Sequence, residues 1–256
     1  MNAANLLDIC SFLDTTLNHG AFKDASLNGL QIESGQHSIS KVGFSVDAGF
    51  SVAEKAVEAR CQLLVVHHGV LWGECEPITG PWARKLSLFL SRGLSLYASH
   101  LPLDGHIELG NAAQMALLLK LSHLAPCFNF GGANIGVRGQ LPAPTTLAEV
   151  ASMLSGIEGA LTPPFQLPFG KSPISTVGIA TGAGTSVIPD CAALGIDLLI
   201  TGEPKQAAYH MAKEHQVSVL CVGHYASETF GVRALERVLR ERFRVETAWL
   251  SEPTGI

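Results

Sequence analysis

The chain has no run of about 18 to 20 consecutive apolar residues, which is the length that a membrane-spanning helix requires. Its first five residues also lack the basic stretch with which a signal peptide begins. We therefore expect a cytoplasmic protein that does not enter a membrane. The cysteines show neither a C-x-x-C pair nor zinc-finger spacing, so we predict that they are reduced core thiols. They are Cys10, Cys61, Cys75, Cys127, Cys191 and Cys221.

Charge is also scarce, because charged residues make up only 15% of the 256 residues and the formal net charge is -5. This balance gives no electrostatic reason to bind a polyanion, so nucleic acid is not favoured as a partner. The hydrophobic share of 47% is enough for a large core, in one large domain or two smaller ones. The mean hydropathy of +0.27 predicts that other copies of the chain cover some apolar surface.

Two adjacent histidines, His67 and His68, follow directly after the apolar run of residues 63 to 66. Imidazole is the commonest metal-binding side chain, and neighbouring side chains on a strand face opposite ways. Adjacent histidines therefore suit two adjacent ions better than one. For this pair by itself two interpretations stay open: metal ligands, or loop histidines capped by ordinary hydrogen bonds.

An internal repeat organises the chain, since residues 42 to 69 and 177 to 204 match without a gap at an offset of 135. Each copy reads strand, glycine-containing turn, helix, strand, which is typical of a βαβ unit. Residues 96 to 104 and 220 to 228 match as well, each with a strand, a histidine and a carboxylate four residues later. We predict an α/β protein of two duplicated modules, 1 to 124 and 125 to 256, with mostly parallel or mixed sheets and a site in the cleft between them.

Apolar periodicity predicts helices near residues 6 to 17, 109 to 119 and 227 to 243, and a final strand at 245 to 250. That last helix and strand are candidates for packing back on the first module. A short strand and helix are predicted within residues 134 to 157, at the entry to the second module.

Five side chains of the two modules form a mixed imidazole and carboxylate set, which suits divalent ions. The predicted metal ligands are His67, His68, Asp104, His224 and Glu228. His224 and Glu228 would share one face of a helical turn, and the two oxygens of Asp104 could bridge two ions. Two ions held close together activate water for hydrolysis of phosphate, amide or amidine groups. The donor set admits zinc, manganese, iron, nickel or magnesium.

Three further side chains are candidates for catalysis. His100 is the repeat partner of His224. It is either a metal ligand or a residue that supports a metal ligand, or else it packs the loop in which it lies. Glu203 aligns with His68. It is either a general base or a hydrogen-bond acceptor for a metal-binding side chain, or else a carboxylate at the start of a helix. His106 is a candidate for proton transfer.

Two aromatic residues and one loop leave alternatives open. Trp72 and Tyr97 either stack a planar base over the metals or pack in the core. The glycine-rich residues 181 to 186 either cradle a phosphate with their backbone N–H groups or form a tight turn.

Five short motifs extend over almost the whole chain. They are Asn28-Gly29-Leu30-Gln31, His67-His68-Gly69, His100-Leu101-Pro102-Leu103-Asp104, Thr201-Gly202-Glu203 and Gly223-His224-Tyr225-Ala226-Ser227-Glu228. Together they resemble the Nif-three-like dinuclear metal centre family, whose members are often named GTP cyclohydrolase I type 2 homologues. The chain is similar to the short bacterial members, because it has no room for the domain that longer relatives insert between the halves.

This resemblance implies intertwined α/β domains in a toroidal homohexamer, with a two-metal site that faces the internal cavity and is held by the same five ligands. We expect a dinuclear metal-dependent hydrolase that acts on a small anionic or nucleotide-like substrate, with a GTP cyclohydrolase-like reaction as one form. The alternative is a non-catalytic metal-binding or regulatory ring that docks a partner or stores metal.

Overall fold

Strands and helices alternate along most of the chain. The computed structural model describes residues 3–74 and 76–256, so Met1, Asn2 and the predicted core thiol Cys75 lie outside the described residues. The helices are α1 (Leu6–Leu17), α2 (Phe50–Glu58), α3 (Gly80–Ser91), α4 (Leu101–Asp104), α5 (Asn111–Leu118), α6 (Leu147–Leu154), α7 (Ile188–Ala193), α8 (Ala208–His215) and α9 (His224–Phe243).

The strands are short, except for two that form a long hairpin. They are β1 (Ala4–Asn5), β2 (Gly29–Ile32), β3 (Ser38–Ile39), β4 (Lys41–Asp47), β5 (Leu63–His68), β6 (Ser95–Ala98), β7 (Ser122–Phe130), β8 (Ala133–Thr145), β9 (Phe165–Leu167), β10 (Ile174–Ile179), β11 (Leu198–Thr201), β12 (Ser218–Cys221) and β13 (Glu246–Trp249). Within the described ranges, no helix is both long and apolar enough to cross a membrane.

The predicted helices are confirmed, with small shifts at their ends. Helix α1 has the predicted bounds, because the Asn5 side chain accepts a hydrogen bond from the Leu7 N–H and so caps its first turn. Helix α5 covers the segment predicted near 109 to 119, and α9 begins three residues before the predicted start. The final strand β13 and the strand and helix β8 and α6 also fall in the predicted segments.

The chain divides into two compact units whose bounds differ from those of the predicted modules. Unit 1 comprises Met1–Leu103 and Val232–Glu252, and unit 2 comprises Asp104–Gly231 and Pro253–Ile256. The final strand belongs to unit 1 because β13 pairs in parallel with β4. The division of the sequence into modules 1 to 124 and 125 to 256 stays a prediction about duplication.

Unit 1 is built on a five-stranded sheet in the order β13-β4-β5-β6-β2. The first four strands are parallel and β2 is antiparallel to β6. Strands β4, β5 and β6 are almost wholly buried, as expected for continuous apolar runs in a parallel sheet. A core that includes Val52, Leu64 and Phe89 joins helices α2 and α3 to this sheet.

Unit 2 is built on a six-stranded sheet in the order β7-β8-β10-β11-β12-β9. Strands β10, β11 and β12 are parallel, and the outer strands pair antiparallel. Leu198 and Ile200 belong to one apolar core and Leu199 to another, because successive side chains of a strand face opposite sides of the sheet. The predicted α/β class with mixed sheets is therefore confirmed.

The first sequence match between the modules has the same strand register in both units. In unit 1 Val42 pairs with Leu63, and in unit 2 the aligned residues Val177 and Leu198 pair with each other. The next strand pair departs from the alignment by one residue. Leu63 pairs with Ser95, but Leu198 pairs with Ser218 rather than with the aligned Val219.

The five described cysteines are free and buried, which confirms the prediction for them. Burial raises the pKa of Cys61 to about 11 and that of Cys127 to about 12. These groups are therefore protonated thiols at neutral pH, and a metal, which binds the thiolate, would not favour them.

Candidate metal centre

Strand β5 of unit 1 ends in the two histidines that the sequence singles out. His67 is fully buried, and its Nδ1 lies 3.0 Å from the carbonyl oxygen of Ser99. The Nδ1 of His68 lies 2.8 Å from Oδ1 of Asp47. A carbonyl or carboxylate oxygen can only accept a hydrogen bond, so in both rings Nδ1 carries the proton and donates it.

The third histidine of unit 1, His100, lies just before α4 and has the same arrangement. Its Nδ1 lies 2.9 Å from Oδ1 of Asp24, whose side chain is only 3% exposed. The other Asp24 oxygen accepts hydrogen bonds from the Asn28 side chain and the Leu101 N–H. Burial raises the pKa of Asp24, but the hydrogen bonds from His100 and Asn28 outweigh burial and hold that pKa below its ordinary value.

The three imidazoles form one cluster. The ring centroid of His67 lies 4.5 Å from that of His68 and 5.0 Å from that of His100. Each ring offers a nitrogen within 4.8 Å of the nitrogens offered by the other two, a spacing at which they could hold a metal ion. Because every Nδ1 donates to an oxygen, the neutral form of each ring has its lone pair on Nε2, as in metal-binding histidines. The residues present in unit 1 therefore fit a metal ion.

Strand register explains the acceptor of His68. Asp47 is the last residue of β4 and is the direct neighbour of His68 in the parallel pair of β4 and β5. The pairing that sets Val42 beside Leu63 also sets these two residues side by side, 21 positions apart. Sequence analysis missed Asp47, although the repeat that predicts this strand pair contains the signal.

A second layer of hydrogen bonds holds the Ser99 loop. The Ser99 hydroxyl lies 3.2 Å from Nε2 of His19, and the same nitrogen lies 3.3 Å from the Tyr97 hydroxyl. That hydroxyl donates to Oδ1 of Asp14 at 2.8 Å. Tyr97 is fully buried, which confirms its core-packing interpretation. Through Ser99, this network holds the carbonyl that His67 uses.

In unit 2 the helix α9 begins at His224, so His224 and Glu228 are one turn apart. Nε2 of His224 lies 3.2 Å from Oε2 of Glu228, which confirms that both face the same way. The Glu228 carboxylate is only 4% exposed. Mixed imidazole and buried carboxylate donors are the ligand types that borderline divalent ions prefer, so this pair also fits a metal.

Glu203 approaches the same imidazole from the loop after β11. Its Oε2 lies 3.2 Å from Nδ1 of His224. The next helix, α8, begins only at Ala208, so Glu203 is not at a helix start. The repeat partners His100 and His224 thus both direct Nδ1 to a carboxylate, Asp24 in unit 1 and Glu203 in unit 2.

The loop after β10 packs against this pair, and only glycine fits at its centre. Gly182 has a φ of +60°, and a Cβ atom there would lie 2.3 Å from Oε1 of Glu228 and 3.1 Å from Nε2 of His224. Its N–H donates to the Ser227 hydroxyl, and its carbonyl accepts hydrogen bonds from the N–H groups of Gly202 and Glu203. The loop is therefore a tight turn that leaves room for the side chains of the two predicted ligands, His224 and Glu228.

Asp104 ends α4 and is buried in unit 2. Its Oδ1 accepts hydrogen bonds from the Asn111 side chain at 2.8 Å and from the Thr181 hydroxyl at 3.0 Å. The carbonyl oxygen of the Asn111 side chain accepts from the Gly231 N–H in α9. Asp104 thus lies beside both the loop after β10 and α9, the two segments that surround His224.

His106 and Trp72 have surroundings that the sequence did not resolve. Nδ1 of His106 accepts hydrogen bonds from the N–H groups of Glu108 and Leu109, so this ring organises the turn before α5. Trp72 is 39% exposed rather than part of the core, and its ring centroid lies 5.0 Å from that of His100. Its indole N–H donates to the Gly69 carbonyl.

This combination of mixed α/β sheets and paired histidines defines a known class of protein. Residues 4–254 match the sequence model of Duf34/NIF3 (NGG1p interacting factor 3), and the chain belongs to that family. A protein of Halobacterium salinarum named GTP cyclohydrolase 1 type 2 homolog is 41% identical over 250 residues, which cover 97% of this chain and 98% of that one. A protein of the same name from Archaeoglobus fulgidus is 38% identical, with 98% of this chain and 100% of that one covered.

Two solved structures have the same fold as this chain. The protein TTHA1606 from Thermus thermophilus is 38% identical, with a TM-score of 0.89 and coverage of 99% of this chain and 100% of that chain. Protein ybgI, described as of unknown function, is 30% identical, with a TM-score of 0.90 and the same coverage.

We predict that Asp47→Ala weakens metal binding about 10- to 100-fold, because His68 loses the acceptor that fixes its tautomer and orientation. Metal affinity is measured by competition with a chromophoric chelator. Asp8→Ala, an exposed carboxylate on α1, is the matched control and should leave the affinity unchanged. Equal affinities of Asp47→Ala and the wild type would contradict the role assigned to Asp47.

Gly182→Ala should also weaken metal binding, because the new Cβ displaces the Glu228 carboxylate. Gly195→Ala is a close control, since Gly195 has a φ of +66° and no atom within 4 Å of the Cβ position. Both variants carry similar backbone strain, of about 1 kcal/mol. A loss of metal affinity in Gly182→Ala but not in Gly195→Ala supports the assignment, whereas equal losses in both speak against it.

The metal-free protein should lose stability in alkaline solution because of His224. The hydrogen bond to Glu228, together with the charges of Glu228 and Glu203, raises the pKa of His224 from 6.5 to about 9 against the opposing effect of burial. The stabilisation is complete below pH 6.5 and is lost as the pH rises through about 9. Urea unfolding at pH 6 and pH 10 should show this loss in the wild type and in the exposed control His210→Gln, but not in His224→Gln.

Proposed function

We propose that the chain is a dinuclear metal-dependent hydrolase whose ions are held by His67, His68, Asp104, His224 and Glu228. The observation that carries this proposal is the orientation of the imidazoles of His67, His68 and His100, each of which directs Nδ1 to an oxygen so that Nε2 is the donor atom for a metal. The buried carboxylates of Asp104 and Glu228 supply the negative charge that divalent ions require. The proposal assigns both sets of ligands to one centre.

The surrounding residues have distinct roles in this proposal. Asp47 and the Ser99 carbonyl fix the tautomer and the orientation of His68 and His67. Glu203 orients His224 through Nδ1 and is 29% exposed, so it can also exchange a proton with water. His100 either binds an ion directly or supports the two adjacent rings, and Asp24 fixes its tautomer in both cases.

Bound divalent ions would polarise a substrate oxygen and lower the pKa of a coordinated water. Two such ions carry a charge of +4, and two carboxylates reduce this to about +2, which favours an anionic substrate. The relatives named GTP cyclohydrolase 1 type 2 homolog make GTP the first compound to test. We propose a small anionic or nucleotide-like substrate and leave the scissile bond to the assay.

We further propose that the protein works in the cytoplasm as a homohexamer. Several large apolar side chains are exposed on a single chain, which supports assembly with other copies. Among them are Leu117 at 57%, Phe130 at 58% and Met153 at 53% exposed.

The test combines elemental analysis with an activity screen on protein purified without chelator. We expect about two metal equivalents per chain and hydrolysis of at least one compound among GTP, phosphoesters and amides. His67→Gln and Glu228→Gln should lower both the metal content and the rate, and His210→Gln should change neither. A full metal content with no hydrolysis would contradict the enzyme and favour a metal-binding ring, and a metal content near zero would contradict both.

A further inference from the structure

A cavity of about 550 Å³ opens next to the histidine cluster of unit 1. This volume lies in the range of small-molecule binding sites, about 300–1,000 Å³. Its wall is formed mainly by the segment that follows β5 and by the start of α3, and it is largely apolar. The lining residues that matter below are Gly69, Trp72, Glu74, Glu76, Trp82 and Lys85.

Trp72 connects the cavity to the candidate metal centre. Its ring packs against the rings of His100 and His68, and the ring centroids of Trp72 and His68 are 6.0 Å apart. Trp72 also lines the cavity. The hydrogen bond from its indole N–H to the Gly69 carbonyl fixes the ring to the loop directly after β5. A molecule that fills the cavity against this indole is therefore separated from the two imidazoles by the Trp72 ring.

The second indole, Trp82, belongs to α3, so two different segments supply the aromatic surface. Indole faces favour planar rings, which stack on them. The exposed carboxylates of Glu74 and Glu76 accept hydrogen bonds and would match the N–H or amino groups of a heteroaromatic ring.

Lys85 brings positive charge to the wall of this cavity. Burial lowers the pKa of Lys85, and the charge of the nearby Asp47 opposes that effect. Asp47 is also the residue whose carboxylate lies 2.8 Å from Nδ1 of His68. An anionic group of a ligand would gain an ion-pair partner at Lys85 on the wall of the cavity.

We propose that this cavity binds the planar heteroaromatic ring of an anionic substrate, with the ring against Trp72 and Trp82 and the anionic group near Lys85. The inference rests on the proposed function, because it identifies the substrate class of the same centre. It predicts that affinity comes from ring and anion together rather than from the metals alone.

The experiment is calorimetric titration of the full chain, both metal-free and zinc-loaded. The probes are AMP and GMP, which have both ring and anion, adenosine and guanosine, which lack the anion, ribose 5-phosphate, which lacks the ring, and tetramethylammonium. We expect one nucleotide to bind at least about tenfold tighter than its nucleoside and than ribose 5-phosphate. The inference is overturned if neither nucleotide binds, or if tetramethylammonium binds more tightly than both.

Variants locate the binding site. Trp72→Leu and Trp82→Leu should each weaken nucleotide binding about 5- to 100-fold. Lys85→Met should weaken the nucleotide and leave the nucleoside unchanged. The exposed controls Phe165→Leu and Lys120→Met should bind like the wild type. Trp72 contacts two of the histidines, so Trp72→Leu could also lose metal. In that case Trp82→Leu provides the test, because among the described residues the tryptophan in ring contact with these histidines is Trp72 and not Trp82. Unchanged nucleotide affinity in Trp82→Leu would overturn the inference.

Parallel measurements separate this inference from the proposed function. Hydrolysis of a substrate without a ring, with no nucleotide binding, would leave the hydrolase standing and refute the cavity assignment. Nucleotide binding that depends on the two indoles, without hydrolysis of any compound, would support the cavity and refute the hydrolase.

Discussion

The hydrogen bond from an imidazole Nδ1 to a fixed oxygen is the interaction on which the candidate metal centre depends. It determines which nitrogen carries the proton, so it decides whether Nε2 has a lone pair for a metal. In unit 1 the three acceptors come from three separate places: the end of β4, the residue after β6, and a buried aspartate in the segment before β2. The sheet and its flanking segments thus serve to hold these oxygens in place.

The two units share the strand pair of the sequence repeat and carry different candidate ligands at equivalent places. His100 and His224 occupy equivalent places, and each directs Nδ1 to a carboxylate. At the two adjacent equivalent places, unit 1 has His67 and His68, and unit 2 has Gly202 and Glu203. These two differences give unit 1 a cluster of three imidazoles and give unit 2 an imidazole between two carboxylates.

The sequence predicted the features that follow from local pattern. Apolar periodicity located α1 and α5, and the repeat predicted the parallel pairs of β4 with β5 and β10 with β11. The spacing of His224 and Glu228 correctly placed both side chains on one face of a turn. These features depend on residues close together in the chain, or on a repeat that the sequence itself displays.

Features that depend on distant contacts could not be predicted. Asp24 lies in a segment with no counterpart in the repeat, so nothing in the sequence links it to His100, 76 residues away. The need for glycine at position 182 follows from the proximity of Glu228, which only the folded chain shows. The exposure of Trp72 depends on the path of the loop after β5, and a tryptophan in an apolar context is more often buried.

The most direct test of the metal centre is anomalous diffraction at the zinc edge from crystals of the zinc-loaded protein. Two anomalous peaks are expected, with zinc bonded to Nε2 of His67 and Nε2 of His68 while both Nδ1 atoms keep their oxygen partners. Zinc bonded through Nδ1, or anomalous peaks only at sites remote from these two histidines, would contradict the account.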